Sequence, residues 1–119
     1  MRTAIFILFI TVCSFVSCSN DNLPFTVIPK DDMGSILFEL NMAEEFVSSY
    51  VTRDTTKNKN VEINKEYQKI FLMHDVTEKQ FKESYDFYKA HTDIYKNLMD
   101  SVNARAQRRR TEIYQAHGS

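Results

Sequence analysis

Between Pro29 and Val102 the apolar residues return every three or four positions, and almost nothing in between would stop a helix. Met33, Ile36, Leu37, Leu40, Ala43 and Val47 trace one such series, and Ile63, Tyr67, Ile70 and Phe71 a second. Phe81, Ser84, Tyr85 and Tyr88 form a third; Tyr95, Leu98, Met99 and Val102 form a fourth. A helical period gathers each series onto one face. Two glycines and two prolines in 119 residues leave few natural breaks. The expected fold class is therefore all-α, a small bundle of about four helices. Nine phenylalanines and six tyrosines, of which only Phe6, Phe9 and Phe15 precede residue 18, point to an aromatic-rich core.

Local signals set the expected ends of these helices. Pro29 suits a first turn, because its fixed φ and missing N–H cost nothing there, and Asp31 and Asp32 follow near the positive end of the helix dipole. At 100° per residue, Met42 and Phe46 fall nearly opposite Met33 and Leu37. An apolar arc that wide predicts a central helix covered on more than one side. Thr52 to Val61 is polar without period and reads as a flexible loop. The second helix should end near His74-Asp75. Thr77-Glu78-Lys79-Gln80 is a capping box, with Val76 and Phe81 placed for a hydrophobic staple. A break is expected at His91-Thr92. Ser84, small among rings, is expected where two helices come close.

The first residues read as an address. Arg2 precedes an uncharged apolar run, Ala4 to Val12, that ends in small residues before Cys18. That is the pattern of a secretory signal, and the run is too short to span a bilayer, which takes roughly 20 residues. Ser17 before Cys18 fits lipoprotein processing, with Phe15 the less usual occupant two positions earlier. Val12 before Cys13 is too large for a competing cut. The other reading is ordinary signal cleavage with Cys18 an incidental thiol. Cys13 and Cys18 are the only two cysteines, so neither a disulfide framework nor a cysteine metal site is expected in the domain. The expected organisation is a signal over 1–17, a lipidated cysteine and tether over 18–28, a helical domain over 29–104 and a basic helix extension or tail over 105–119. Pro24 and Pro29 bar a central strand in the tether, whose last residues are expected to lie extended against the domain.

Several residue groups are candidates for chemistry or contact. His74, His91 and His117 are expected at a helix end, in a turn and in the tail, and none has a second His or Cys at ligand spacing. Glu39 and Glu44 fall in or beside the apolar arc, where a carboxylate must reach solvent or pair; tyrosine hydroxyls of Tyr85 or Tyr88 are the expected partners. Phe38, Met42, Phe46 and Phe87 are hard to bury in so small a domain and mark a candidate partner surface. Arg105, Arg108, Arg109 and Arg110 extend the last helix. Their position suits the helix dipole by itself, and the functional reading is contact with anionic headgroups or an acidic partner.

The run EYQKIFLMHDVTEKQFKESYDFYKAHTDIYKNLMDSV resembles the second half of an uncharacterised Bacteroidota lipoprotein family, known as domain of unknown function 4296. Cys18, Ile28-Pro29, Ala43-Glu44, Tyr67, Ile70-Phe71, Phe81, Ser84, Tyr88 and Tyr95 are the matching features. The resemblance covers roughly Ile28 to Val102. The chain differs at Glu39 and Asn41, where the family pattern has Asp and His, and at Thr92, where it has Pro. The resemblance implies a lipid anchor and a Tyr-rich helical half, and it brings no known activity with it.

The function expected from these readings is binding. Fifteen basic residues against sixteen acidic ones argue against nucleic acid. No cofactor, no metal and no catalysis are expected. The expected partners are a membrane, through lipid on Cys18, and an envelope or outer-membrane protein. The expected location is the outer membrane, facing the periplasm. An accessory or docking subunit of an envelope complex is the leading role; a periplasmic holdase for unfolded outer-membrane proteins, using the same aromatics, is the alternative. An enzyme would call for a cleft bringing Glu39 or Glu44 near His74 or His91.

Overall fold

The computed structural model describes residues 23–118 and is all-α. Helix α1 spans Lys30–Ser49 and is followed by a short 3-10 turn, Val51–Arg53. Helix α2 spans Lys59–Met73, α3 spans Glu78–Ala90 and α4 spans Thr92–His117. Helix α1 packs against both α2 and α4, while α3 packs against α4. The double cover on α1 is what its wide apolar arc predicts.

Helix ends follow the local chemistry closely, with three differences from expectation. Pro29 caps α1 from outside rather than opening it, its carbonyl accepting the first helical bond from Met33 N–H at 2.8 Å. The loop is shorter than its composition suggests, because the Asn58 side chain accepts from the N–H groups of Asn60 and Val61 at 3.0 and 3.3 Å. That caps α2 two residues before the polar stretch ends. Helix α4 then continues through the four arginines to His117, which is helical and not tail.

Between α2 and α3 the chain turns without a glycine. Asp75 adopts φ 53°, Val76 N–H reaches back to Phe71 O at 3.0 Å and Asp75 N–H to Leu72 O at 3.2 Å. This is a Schellman closure, with Asp in the left-handed position where glycine is usual. Thr77 Oγ1 then accepts from Gln80 N–H at 3.1 Å and starts α3.

Met33, Ile36 and Leu40 of α1, Ile70 and Phe71 of α2, Tyr88 of α3, Leu98 of α4 and Ile28 form one buried cluster. Around it runs a chain of rings from α2 through α3 to α4. Successive centroids from Tyr67 to Phe71, Phe81, Tyr85 and Tyr95 lie 6.3, 5.1, 6.0 and 6.2 Å apart. Such pairs each contribute about 0.5–1.5 kcal/mol beyond the area they bury, and here they tie three helices together.

Ser84 packs against the segment that precedes α1. Its buried hydroxyl accepts from Ile28 N–H at 2.9 Å, and Tyr88 OH donates to Ile28 O at 2.8 Å. A residue before proline is held out of the helical region, so Ile28 cannot satisfy its backbone within α1. Two α3 side chains do it instead, and Ile28, assigned to the tether by its sequence, is part of the core. The close approach between helices occurs at Gly34. A Cβ there would sit 3.5 Å from Ser101 Oγ and 3.7 Å from Leu98 Cδ1.

Candidate functional site

Phe38, Met42 and Phe46 of α1 and Tyr50, the residue that caps it, are spaced four apart and form a ridge. Opposite stand Val102, Ala106 and Ile113 of α4. Between them lies an open groove of about 510 Å³, with Arg109 and Arg110 on the α4 side and Asn41, Glu45 and Ser49 on the α1 side. Met42, Phe46, Tyr50 and Ile113 keep 39, 52, 65 and 44 % of their surface exposed. The groove exists because α2 and α4 cover only part of the α1 arc. The rings of Phe46 and Tyr50 lie 5.5 Å apart, and the Arg53 guanidinium stands 5.8 Å from the Tyr50 ring centre.

The arginines form a shoulder beside this groove. Arg105, Arg108 and Arg109 line a shallower opening of about 310 Å³ together with Ser35, Phe38, Glu39 and Glu112. Phe38 and Arg109 border both openings, so the positive surface continues from one into the other. Arg105 is the most tied down: it donates to Asp31 O at 3.2 Å while its buried Nε has no hydrogen-bond partner. Arg109 faces Glu112 at 4.0 Å, the limit of an ion pair.

Of the residues expected at a partner surface, Phe38, Met42, Phe46, Arg109 and Arg110 meet in the groove, and Arg105 and Arg108 flank it. Phe87 does not join them. It is half-buried on α3, its ring centre 6.0 Å from Tyr88 and 4.2 Å from His91. Cys18 lies outside the described residues.

The two carboxylates on α1 find partners other than those expected. Tyr88 OH is taken by Ile28 O, and Tyr85 OH lies 3.3 Å from Tyr95 OH. Glu44 instead accepts from Tyr67 OH, and Glu39 meets His74 Nε2 at 3.0 Å. Burial, and then the hydrogen bond to Glu44, push the Tyr67 hydroxyl well above its ordinary pKa. The hydrogen bond with Tyr95, and then burial, raise that of Tyr85. The Glu39–His74 contact supplies the proximity that an enzyme would need, but not the cleft: Glu39 borders the shallow opening and His74 does not. Among the described residues no group of three or more His, Cys, Asp or Glu is placed to hold a metal ion.

Seven exposed apolar residues were not singled out by the helical periodicity: Tyr50 and Ile113 in the groove, Val61, Tyr114, and Phe25, Leu72 and Met73. Phe25 stands wholly exposed at a turn closed by Val27 N–H to Pro24 O at 2.9 Å, and Leu72 and Met73 protrude at the end of α2. The signal for the last two was present, since both fall off the Ile63–Tyr67–Ile70 stripe.

A family model described as a domain of unknown function, DUF4296, matches residues 24–112. The chain belongs to this family. The DUF4296 match begins just before the Ile28 clamp and ends at Glu112 within α4, so it takes in the α1 ridge and all four arginines of the shoulder. No curated protein and no solved structure matches the chain. No helix among the described residues is long and apolar enough to cross a membrane.

Proposed function

We propose that this protein is a lipid-anchored envelope protein that acts by docking rather than by catalysis, held to a membrane through Cys18 and receiving a partner protein in the groove between α1 and α4. The observation that carries the reading is the ridge of Phe38, Met42, Phe46 and Tyr50 along one wall of the groove, with Met42, Phe46 and Tyr50 exposed and Phe38 half-buried. Contiguous apolar surface with a polar rim is what protein contact sites expose. The signal-like N-terminus and the short stretch between Cys18 and Leu23 support an anchor close to the domain, with the outer membrane, periplasmic side, as its place.

A photo-crosslinking residue at Met42 in cells, with a Cys18→Ala copy alongside, tests this. One partner captured in near-stoichiometric yield by the lipid-labelled form is expected, and capture should drop when the domain is released from the membrane. A smear of many unfolded outer-membrane chains would replace docking with holdase activity. Lipid labelling that persists in Cys18→Ala would remove the anchor from the reading.

A further inference from the structure

We propose that the occupant of this groove is an acidic amphipathic helix of the partner, an inference that rests on the docking function above. Three features of the groove specify the chemistry.

The first is shape. The α1 wall is a ridge with period four from Phe38 to Tyr50, about 18 Å long at 1.5 Å per residue. A helix laid into such a wall uses anchors at i, i+3 or i+4, and i+7.

The second is backbone chemistry. Both walls are helices, whose interior N–H and C=O groups are already bonded to each other, so they have no edge for a strand to add to. An occupant must bring its backbone satisfied, and a helix does. A small apolar ligand is less suited, since such ligands usually lose 70–90 % of their surface to a pocket, and this groove is open along its length.

The third is charge. From Arg105 to His117, α4 carries four arginines against the single acid Glu112, in a chain whose formal net charge is −1. The positive charge is thus concentrated along one wall. Arg108 and Arg110 form no ion pair among the described residues, and Arg109 has only the 4.0 Å contact to Glu112. On the other wall Glu45 is the one acid in the groove, and Glu39, at the edge, is already turned to His74. An incoming helix with apolar residues on one face and carboxylates along its α4-facing flank would fill the ridge and pair the arginines. Charge complementarity of this kind sets which partner binds more than how tightly.

Two fluorescent helical peptides of about four turns, sharing one apolar face but flanked by Glu in one and Lys in the other, test the inference. They are titrated against the full-length protein in zwitterionic phospholipid nanodiscs and read by anisotropy. The Glu peptide is expected to bind roughly tenfold more tightly than the Lys peptide, with the preference shrinking as salt rises. The double variant Arg109→Glu/Arg110→Glu should invert the preference, and Phe46→Asp should weaken both peptides. Equal binding of the two peptides, or binding of neither, overturns the acidic helix as occupant. If crosslinks from Met42 still capture one partner in that case, docking stands and only the occupant's chemistry is wrong. If no crosslink forms, the docking function falls with it.

Discussion

Ile28 shows how one residue's covalent neighbour decides a tertiary contact. Pro29 keeps it out of α1, and its orphaned N–H and C=O are met by Ser84 and Tyr88 at 2.9 and 2.8 Å in a buried site. Tyr88→Phe leaves that carbonyl without its phenol and should cost about 1–3 kcal/mol, measurable as a lower midpoint in urea with an unchanged slope. Ser84 was legible as small; what it was small for was not, because a hydroxyl's partner lies wherever the fold brings one. Two tyrosines, Tyr67 at the α1–α2 contact and Tyr85 at the α3–α4 contact, carry a pH dependence. Tyr67 and Tyr85 both have hydroxyl pKa values raised in the folded state, so the folded chain holds protons that the unfolded chain releases above its ordinary value near 10.0. Stability is then full below pH 10 and falls as pH rises beyond it. Tyr67→Phe should make that alkaline decline shallower, seen as melting temperatures that depend less on pH between 9 and 11.

At the scale of elements, α1 is the helix on which the fold and the groove both depend, and residues packed on its core side and on its ridge respond differently to truncation. Phe71 of α2 packs in the main cluster below α1, whereas Phe46 stands half exposed on the ridge. Phe71→Ala should lose about 3–5 kcal/mol, and Phe46→Ala only about 1–1.5 kcal/mol because half of its surface stays in water on folding. A comparable loss at Phe46 in thermal melts would mean that the ridge is covered by its own chain. Gly34 offers the opposite change. It lies inside α1 with ordinary helical φ, and a Cβ would meet Ser101 and Leu98 at normal contact distance. Gly34→Ala should therefore stabilise the protein by about 0.5–1 kcal/mol, and a lower melting temperature would show that α1 and α4 sit closer than 3.5 Å contacts imply. The turn at Asp75 was hard to foresee for a related reason: the usual glycine signal of a helix end is missing, and Asp tolerates φ 53° only as a minor habit of its type.

For the whole molecule, the division between folded domain and appendage differs at the two ends. Ile28 belongs to the core, whereas every residue of α4 after Ala106 is exposed although helical. Truncation after Glu112 should leave stability within about 0.5 kcal/mol, as checked by urea titration, while removing the Ile113 edge of the groove. A chain begun at Lys30 should be markedly less stable, since it loses a buried isoleucine and leaves two α3 hydroxyls without their backbone partners. In the proposed anchored protein the chain enters the domain at Ile28, which is clamped by α3.

Helix number, the aromatic core, the Thr77 cap and the breadth of the α1 arc were all readable from the chain alone. They rest on interactions within a few residues, where periodicity and capping chemistry are local properties. Of the large apolar residues that the sequence marked as hard to bury, Met42 and Phe46 are exposed and Phe38 and Phe87 half-buried. Only the tertiary structure decided that Phe38, Met42 and Phe46 share a groove with Arg109 and Arg110 while Phe87 stays apart on α3. It likewise decided that Glu39 meets His74 and Glu44 meets Tyr67 rather than Tyr85 or Tyr88. Those pairings join residues more than twenty positions apart, and which helix faces which depends on how whole apolar surfaces are buried together, a sum over the molecule that no local pattern contains.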